Sequence, residues 1–245
     1  MNVMRKTMAM LEAWWAKHHV RLAPEPAGER HGVVGERYAD GPHAGERPFT
    51  LVAVGDSMVA GCGVDDQAAG LIPDLARGVA DELERPVRWS AHGRLGATMR
   101  RVRYRLLPEV EGRADLLVLC AGSNDIMAQR SMKEWSEDLA ATLDEAMAMA
   151  DGVVVYSCGQ LYNSPALGAA LREYLEGRVD EQTAVSRRIC DRRGVVYLDM
   201  THEDVKADDE KFYAADHFHP GEFGYRYMAE RSIELLRGHL RTLRV

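Results

Sequence analysis

The sequence holds no run of about 18 apolar residues, so no membrane-spanning helix is expected. It has no basic excess either. The formal net charge is -7 at pH 7, which argues against nucleic acid as a partner, because such binding needs a concentrated basic surface. Cysteine is scarce: Cys62, Cys120, Cys158 and Cys190 match no zinc-ligand spacing, and a chain of 245 residues needs no disulfide staples. Free thiols point to a reducing compartment, hence a cytoplasmic expectation. Aromatics are only 7%. The core must therefore be built mainly from Leu, Val, Ala and Met. The 46% of hydrophobic residues is ample for one sizeable core.

Two regions differ in texture. Residues 1–48 read as an N-terminal helix followed by an extended arm, and residues 49–245 as the main domain. Met1 to Val20 carries Arg5 and Lys6, then an apolar stretch from Met8 to Trp15 broken by Glu12, then Lys17, His18 and His19. No small-residue cleavage site follows, so it reads as an amphipathic helix and not as a secretory signal. Packing on the domain or on a second subunit is its expected role. Contact with a membrane surface through Trp14 and Trp15 is the other role considered. Residues 22–48 are punctuated by Pro24, Pro26, Pro42 and Pro48 and show little hydrophobic periodicity.

From Phe49 the pattern becomes regular. Apolar strands are predicted at Leu51–Val54, Pro86–Ala91, Leu116–Cys120, Val153–Ser157 and Val195–Leu198. Helices are predicted at Leu71–Leu83, Thr98–Leu107, Trp135–Ala150 (capped by Ser131 with Glu134), Leu167–Arg193 with a break at Gly177, and Glu222–Leu243. Strands alternating with helices imply a parallel α/β sheet covered on both faces, a three-layer α/β/α arrangement. In such sheets function gathers beyond the carboxyl ends of the strands.

Four fragments fall at that edge: Gly55-Asp56-Ser57, Gly96-Ala97-Thr98, Gly122-Ser123-Asn124-Asp125 and Asp216-His217-Phe218-His219-Pro220. A serine hydroxyl attacks only if a base takes its proton. His219 is the candidate base. Asp216, three residues earlier, is near enough across a turn to accept the imidazole Nδ1 proton. His217 stands at the wrong distance to share that role. An oxyanion needs preorganised donors, and the candidates are the backbone N–H groups of Ser57 and Gly96 and the side-chain amide of Asn124.

In this order the fragments resemble the SGNH hydrolases, also called the GDSL esterase/lipase family. Met58 stands where that family usually has Leu, and Gly93 to Thr98 match its second block. The resemblance covers about Phe49 to Leu243. It implies a flavodoxin-like fold with a five-stranded parallel sheet of order 2-1-3-4-5. It also implies a Ser57–His219–Asp216 triad, an oxyanion hole of Ser57, Gly96 and Asn124, and a small-molecule ester as substrate. No metal or organic cofactor is expected. A thioesterase, an acyltransferase and a carbohydrate deacetylase would use the same site. A non-catalytic binding protein would have no need of an ordered triad. The arm has no counterpart in the minimal family domain and is a candidate dimerisation element.

Three further groups are expected to be structural. The arginines at 94, 100, 101, 103 and 105 should form a solvated surface paired with local acids. The acidic stretch Glu203 to Glu210 should be a solvated loop and not a metal site. Tyr162, Asn163 and Pro165 follow the fourth strand and are candidates for the pocket wall.

Overall fold

A computed structural model describes residues 2–243 of the chain. In chain order the elements are α1 (Val3–His19), β1 (His31–Val34), β2 (Phe49–Gly55), α2 (Ser57–Ala60), α3 (Leu71–Leu83), β3 (Val87–Gly93) and α4 (Met99–Arg101). They continue with β4 (Ala114–Cys120), α5 (Ser123–Met127), α6 (Met132–Met149), β5 (Ala150–Tyr156), α7 (Ala169–Asp191), β6 (Val196–Leu198) and α8 (Glu222–Leu240).

The sheet runs β1-β3-β2-β4-β5-β6. The last five strands in that order are parallel and follow the expected 2-1-3-4-5 pattern. Side chains alternate between two cores. Leu51, Ala53, Leu116, Val118 and Val154 face α3 and α8. Val52, Val54, Leu117, Leu119, Val153 and Val155 face α6 and the segment after β3. Every residue of β4 is buried, as an apolar run at the centre of a parallel sheet requires.

The register sets the site. Gly55 of β2 lies opposite both Gly93 of β3 and Cys120 of β4. Three strands thus end level, and the loops that follow them open onto one edge.

The structure corrects the expectations in several places. The sheet has six strands, not five: residues 31–34 of the arm pair antiparallel with β3, Val34 opposite Val87. A strand of four residues is too short to show a period, and pairing with an edge strand supplies what its sequence does not. The helix expected over 98–107 is regular only at Met99–Arg101. It widens into a π turn over Val102–Leu106 and tightens into a 3-10 turn at Leu107–Glu109, where Pro108 has no N–H to continue the ladder. Helix α7 runs through Gly177 without a break. The Ser131–Glu134 capping box forms as expected at the start of α6. No helix among the described residues is long and apolar enough to cross a membrane.

Candidate active site

Ser57 opens α2 directly after β2. Asp56 is the N-cap: its Oδ1 accepts the Met58 N–H at 3.0 Å. At the first position of a helix the Ser57 N–H has no intrahelical acceptor. Among the described residues it takes no other acceptor either, and the same holds for the Gly96 N–H. Gly96 sits at φ +77 with open space where a Cβ would be. A side chain would strain that backbone and shield its N–H.

The three loops are tied to one another. Ser123 Oγ donates to Asp56 Oδ2 at 2.9 Å, Asn124 Nδ2 donates to Ala97 O at 3.0 Å, and the Met99 N–H donates to Asp125 Oδ2 at 2.9 Å. Asn124 keeps one amide hydrogen beyond that bond. Ser57, Gly96 and Asn124 therefore belong to one hydrogen-bonded assembly at the sheet edge.

Asp216 and His219 come from the loop before α8. Asp216 Oδ1 accepts the backbone N–H groups of Phe218 and His219, both at 2.9 Å. Its Oδ2 lies 2.7 Å from His219 Nδ1 and accepts the Ala23 N–H at 2.8 Å. Burial alone would raise the Asp216 pKa, but the His219 imidazole and three backbone N–H groups hold it well below the usual carboxylate range. The carboxylate thus stays charged and fixes a proton on Nδ1, leaving Nε2 unprotonated in the neutral ring. His217 occupies the left-handed region at φ 55, is exposed, and makes no side-chain hydrogen bond to Asp216. The turn after α2 packs on the same loop: at Gly63 (φ +107) a Cβ would sit 2.2 Å from Pro220 O and 3.1 Å from His219 Cβ. Only glycine lets the end of the Ser57 helix approach His219 so closely.

Ser57 and His219 line one cavity of about 60 Å³ with Met58, Cys158, Leu161 and Phe218. Neither Ser57 Oγ nor His219 Nε2 is tied to another protein group among the described residues. Burial pushes the Cys120 and Cys158 thiols, which also border the cavity, well above their ordinary values. They stay protonated and do not compete as nucleophiles. Leu161 takes the wall position expected of Tyr162, whose hydroxyl instead donates to Thr201 O at 2.8 Å.

Sequence reasoning missed the arm's part in the site. Ala23 holds Asp216, as described above. Glu25 accepts the Leu95 N–H at 2.8 Å, next to Gly96, and pairs with Arg30 at 2.7 Å and Arg94 at 3.3 Å. A backbone N–H carries no side-chain signal, and Glu25 stands among polar residues of no evident period. The other arginines behave as expected: Arg103 pairs with Glu145, and Arg100, Arg101 and Arg105 are exposed. Among the described residues no cluster of His, Cys, Asp and Glu could hold a metal.

Burial pushes the Asp56 carboxyl up to about 6, against the opposing bonds from Met58 and Ser123. The folded chain then holds this proton over a pH range, about 4 to 6, in which the unfolded chain has lost it. Stability contributed here is present at low pH and falls as pH rises through that window. Asp56→Asn keeps an acceptor for the Met58 N–H and carries no charge. It should gain on the order of 2–3 kcal/mol relative to the native chain on going from pH 4 to pH 8. Urea midpoints at the two pH values check this, and a difference independent of pH would refute it.

A family model for the GDSL-like lipase/acylhydrolase family matches residues 53–227. No curated protein matches the sequence. Solved structures share the fold. A lipolytic protein of the G-D-S-L family from Veillonella parvula is 21% identical, with 76% of this chain and 97% of that chain covered at a TM-score of 0.59. A lipase/acylhydrolase from Enterococcus faecalis is 18% identical, covering 78% and 96% at 0.55. A serine-to-alanine catalytic mutant of an acetylxylan esterase from Geobacillus stearothermophilus is 16% identical, covering 76% and 93% at 0.54. With most of its length matched by the family model, and with that family's blocks set along one sheet edge, this chain belongs to the GDSL-like lipase/acylhydrolase family of ester-hydrolysing enzymes.

Proposed function

We propose that the protein is a serine esterase that removes short acyl groups from carboxylic esters through an acyl-Ser57 intermediate. The observation that carries this reading is the buried Asp216–His219 pair, at 2.7 Å, beside the same cavity as Ser57. His219 Nε2 takes the Ser57 Oγ proton as Oγ adds to the acyl carbonyl. The carbonyl oxygen becomes an oxyanion, met by the N–H groups of Ser57 and Gly96 and the Asn124 amide. Each such donor is worth on the order of 2.7–4 kcal/mol in the transition state. The tetrahedral intermediate collapses, the ester C–O bond breaks, and the leaving alkoxide takes the proton from His219. Water then gives a proton to His219 as it attacks the acyl-enzyme, and Ser57 is regenerated with release of the carboxylic acid. Asp216 stays ionised throughout and stabilises the imidazolium.

The small volume of the cavity favours a short acyl group. About 60 Å³ is room for about four or five water-sized groups, which suits chains of two to four carbons. The structural neighbour from Geobacillus stearothermophilus is an acetylxylan esterase, and removal of acetyl groups from a carbohydrate is one form a short-acyl esterase of this kind could take. Steady-state hydrolysis of p-nitrophenyl acetate, butyrate and octanoate tests the reading. The acetate or butyrate should exceed the octanoate in kcat/KM by about ten-fold or more, since an over-long chain must displace packed side chains. Rates that rise with chain length would overturn the acyl assignment. No hydrolysis of any of the three would overturn the esterase.

A further inference from the structure

Helix α1 is mounted with its apolar face outward. Stepping about 100° per residue, Ala9, Ala13 and Ala16 share one side. Ala9 and Ala16 are buried, and Ala13 and Ala16 pack with Leu161, Leu167 and Leu171 beside α7. Glu12, the only acidic residue of the helix, turns inward too, and its Oε2 accepts the Leu171 N–H at 2.7 Å in the first turn of α7. The opposite side carries Val3, Met4, Met8, Met10, Leu11, Trp14 and Trp15, spread over about 160° of the circumference. All are exposed, Met4 at 77%, Leu11 at 58% and Trp14 at 62%. The helix packs on its own domain, one of the two roles expected of it, but it does so through alanines and leaves its larger apolar side chains outward. A face of this kind on a water-facing helix, largely apolar though it also carries Thr7 and His18, marks a docking surface.

We propose that this face docks on an anionic lipid membrane and sets the active-site edge beside the bilayer. Charge selects the occupant. Lys6 and Lys17 flank the apolar face on one side, and neither is within ion-pair distance of a carboxylate among the described residues. No acidic side chain lies on the outward face. An antiparallel pairing of two such helices from two copies would bring Lys6 of one toward Lys17 of the other with no acid to match them. Anionic headgroups match both lysines while the apolar face enters the headgroup boundary. The positive flank also stands out on a chain whose net charge is -7, so this face is the one such a surface would attract. Trp14 and Trp15 suit that boundary, being apolar bodies with a polar N–H. The helix is also near the chemistry. Trp15, His19 and Arg21 form one wall of a cleft whose other wall includes Ala215, Asp216 and His217.

The docking is independent of the esterase reading, and vesicle co-sedimentation separates the two. The full chain should pellet with vesicles of phosphatidylcholine mixed with phosphatidylglycerol and remain in solution with phosphatidylcholine alone. The pair Leu11→Ser with Trp14→Ala, and separately Lys6→Glu with Lys17→Glu, should each lower partitioning by about ten-fold or more. Both pairs should hydrolyse p-nitrophenyl acetate at the native rate, whereas Ser57→Ala should bind vesicles normally. Sedimentation velocity without lipid completes the test. A dimer that the Leu11/Trp14 pair dissociates would assign the face to a second copy and overturn the proposal. A monomer that ignores anionic vesicles would overturn it as well.

Discussion

Replacing Ser57 by alanine should lower kcat for p-nitrophenyl acetate by about 10⁴–10⁶-fold, with little change in KM. The size follows from the chemistry. Without Oγ there is no acyl-enzyme, and the oxyanion donors are left to assist attack by water alone. Ser57 Oγ takes part in no hydrogen bond among the described residues, and the Asp56 cap on Met58 does not involve it. The variant should therefore melt within a degree or two of the native chain, which separates lost chemistry from lost fold. A loss below ten-fold would mean that another group attacks. Cys120 and Cys158 also border the cavity, but desolvation pushes both thiols up so that they hold their protons.

Asp216→Asn is the second large effect, on the order of 10⁴-fold in kcat. Asp216 Oδ2 faces two donors, His219 Nδ1 and the Ala23 N–H. An amide nitrogen in that place would confront the Ala23 hydrogen and would ask Nδ1 to accept. That choice puts the proton on Nε2, where it blocks removal of the serine proton. If instead the amide flips, the two backbone bonds to Phe218 and His219 are lost. A stability cost should accompany the loss. The depressed Asp216 pKa means that the fold gains from ionisation above the unfolded carboxylate value, near pH 4, and loses that gain as pH falls toward the folded one. The native chain should thus lose this contribution on acidification, and Asp216→Asn should lack it at neutral pH. Steady-state kinetics at pH 8 and urea midpoints at pH 8 and pH 2 check both parts. Near-native kcat in a folded variant would remove Asp216 from the mechanism.

The parallel sheet was legible because its strands are apolar on both faces and its helices carry clear periods. From β2 onward the strand order followed. The positions of Ser57, Gly96, Asn124, Asp216 and His219 were legible for the same reason: each falls a few residues past the end of a strand, or just before the last helix. The structure brings them to one edge through the register of Gly55 with Gly93 and Cys120. What escaped the sequence depends on contacts without a local signature. Strand β1 is specified by its partner β3. The support from Ala23 is a main-chain N–H. The orientation of α1 depends on which face α7 accepts, and alanines that pack closely on a neighbouring helix look, in sequence, no different from alanines in solvent.

The acyl-Ser57 intermediate is the central claim, and intact mass spectrometry after incubation with a fluorophosphonate tests it most directly. The native chain should gain the mass of one phosphonyl group, mapped to the peptide that contains Ser57, and Ser57→Ala should gain none. His219→Ala should label far more slowly than the native chain, because the base that activates Oγ is gone. Labelling that survives Ser57→Ala, or a native chain that stays unmodified while it hydrolyses p-nitrophenyl acetate, would contradict the account.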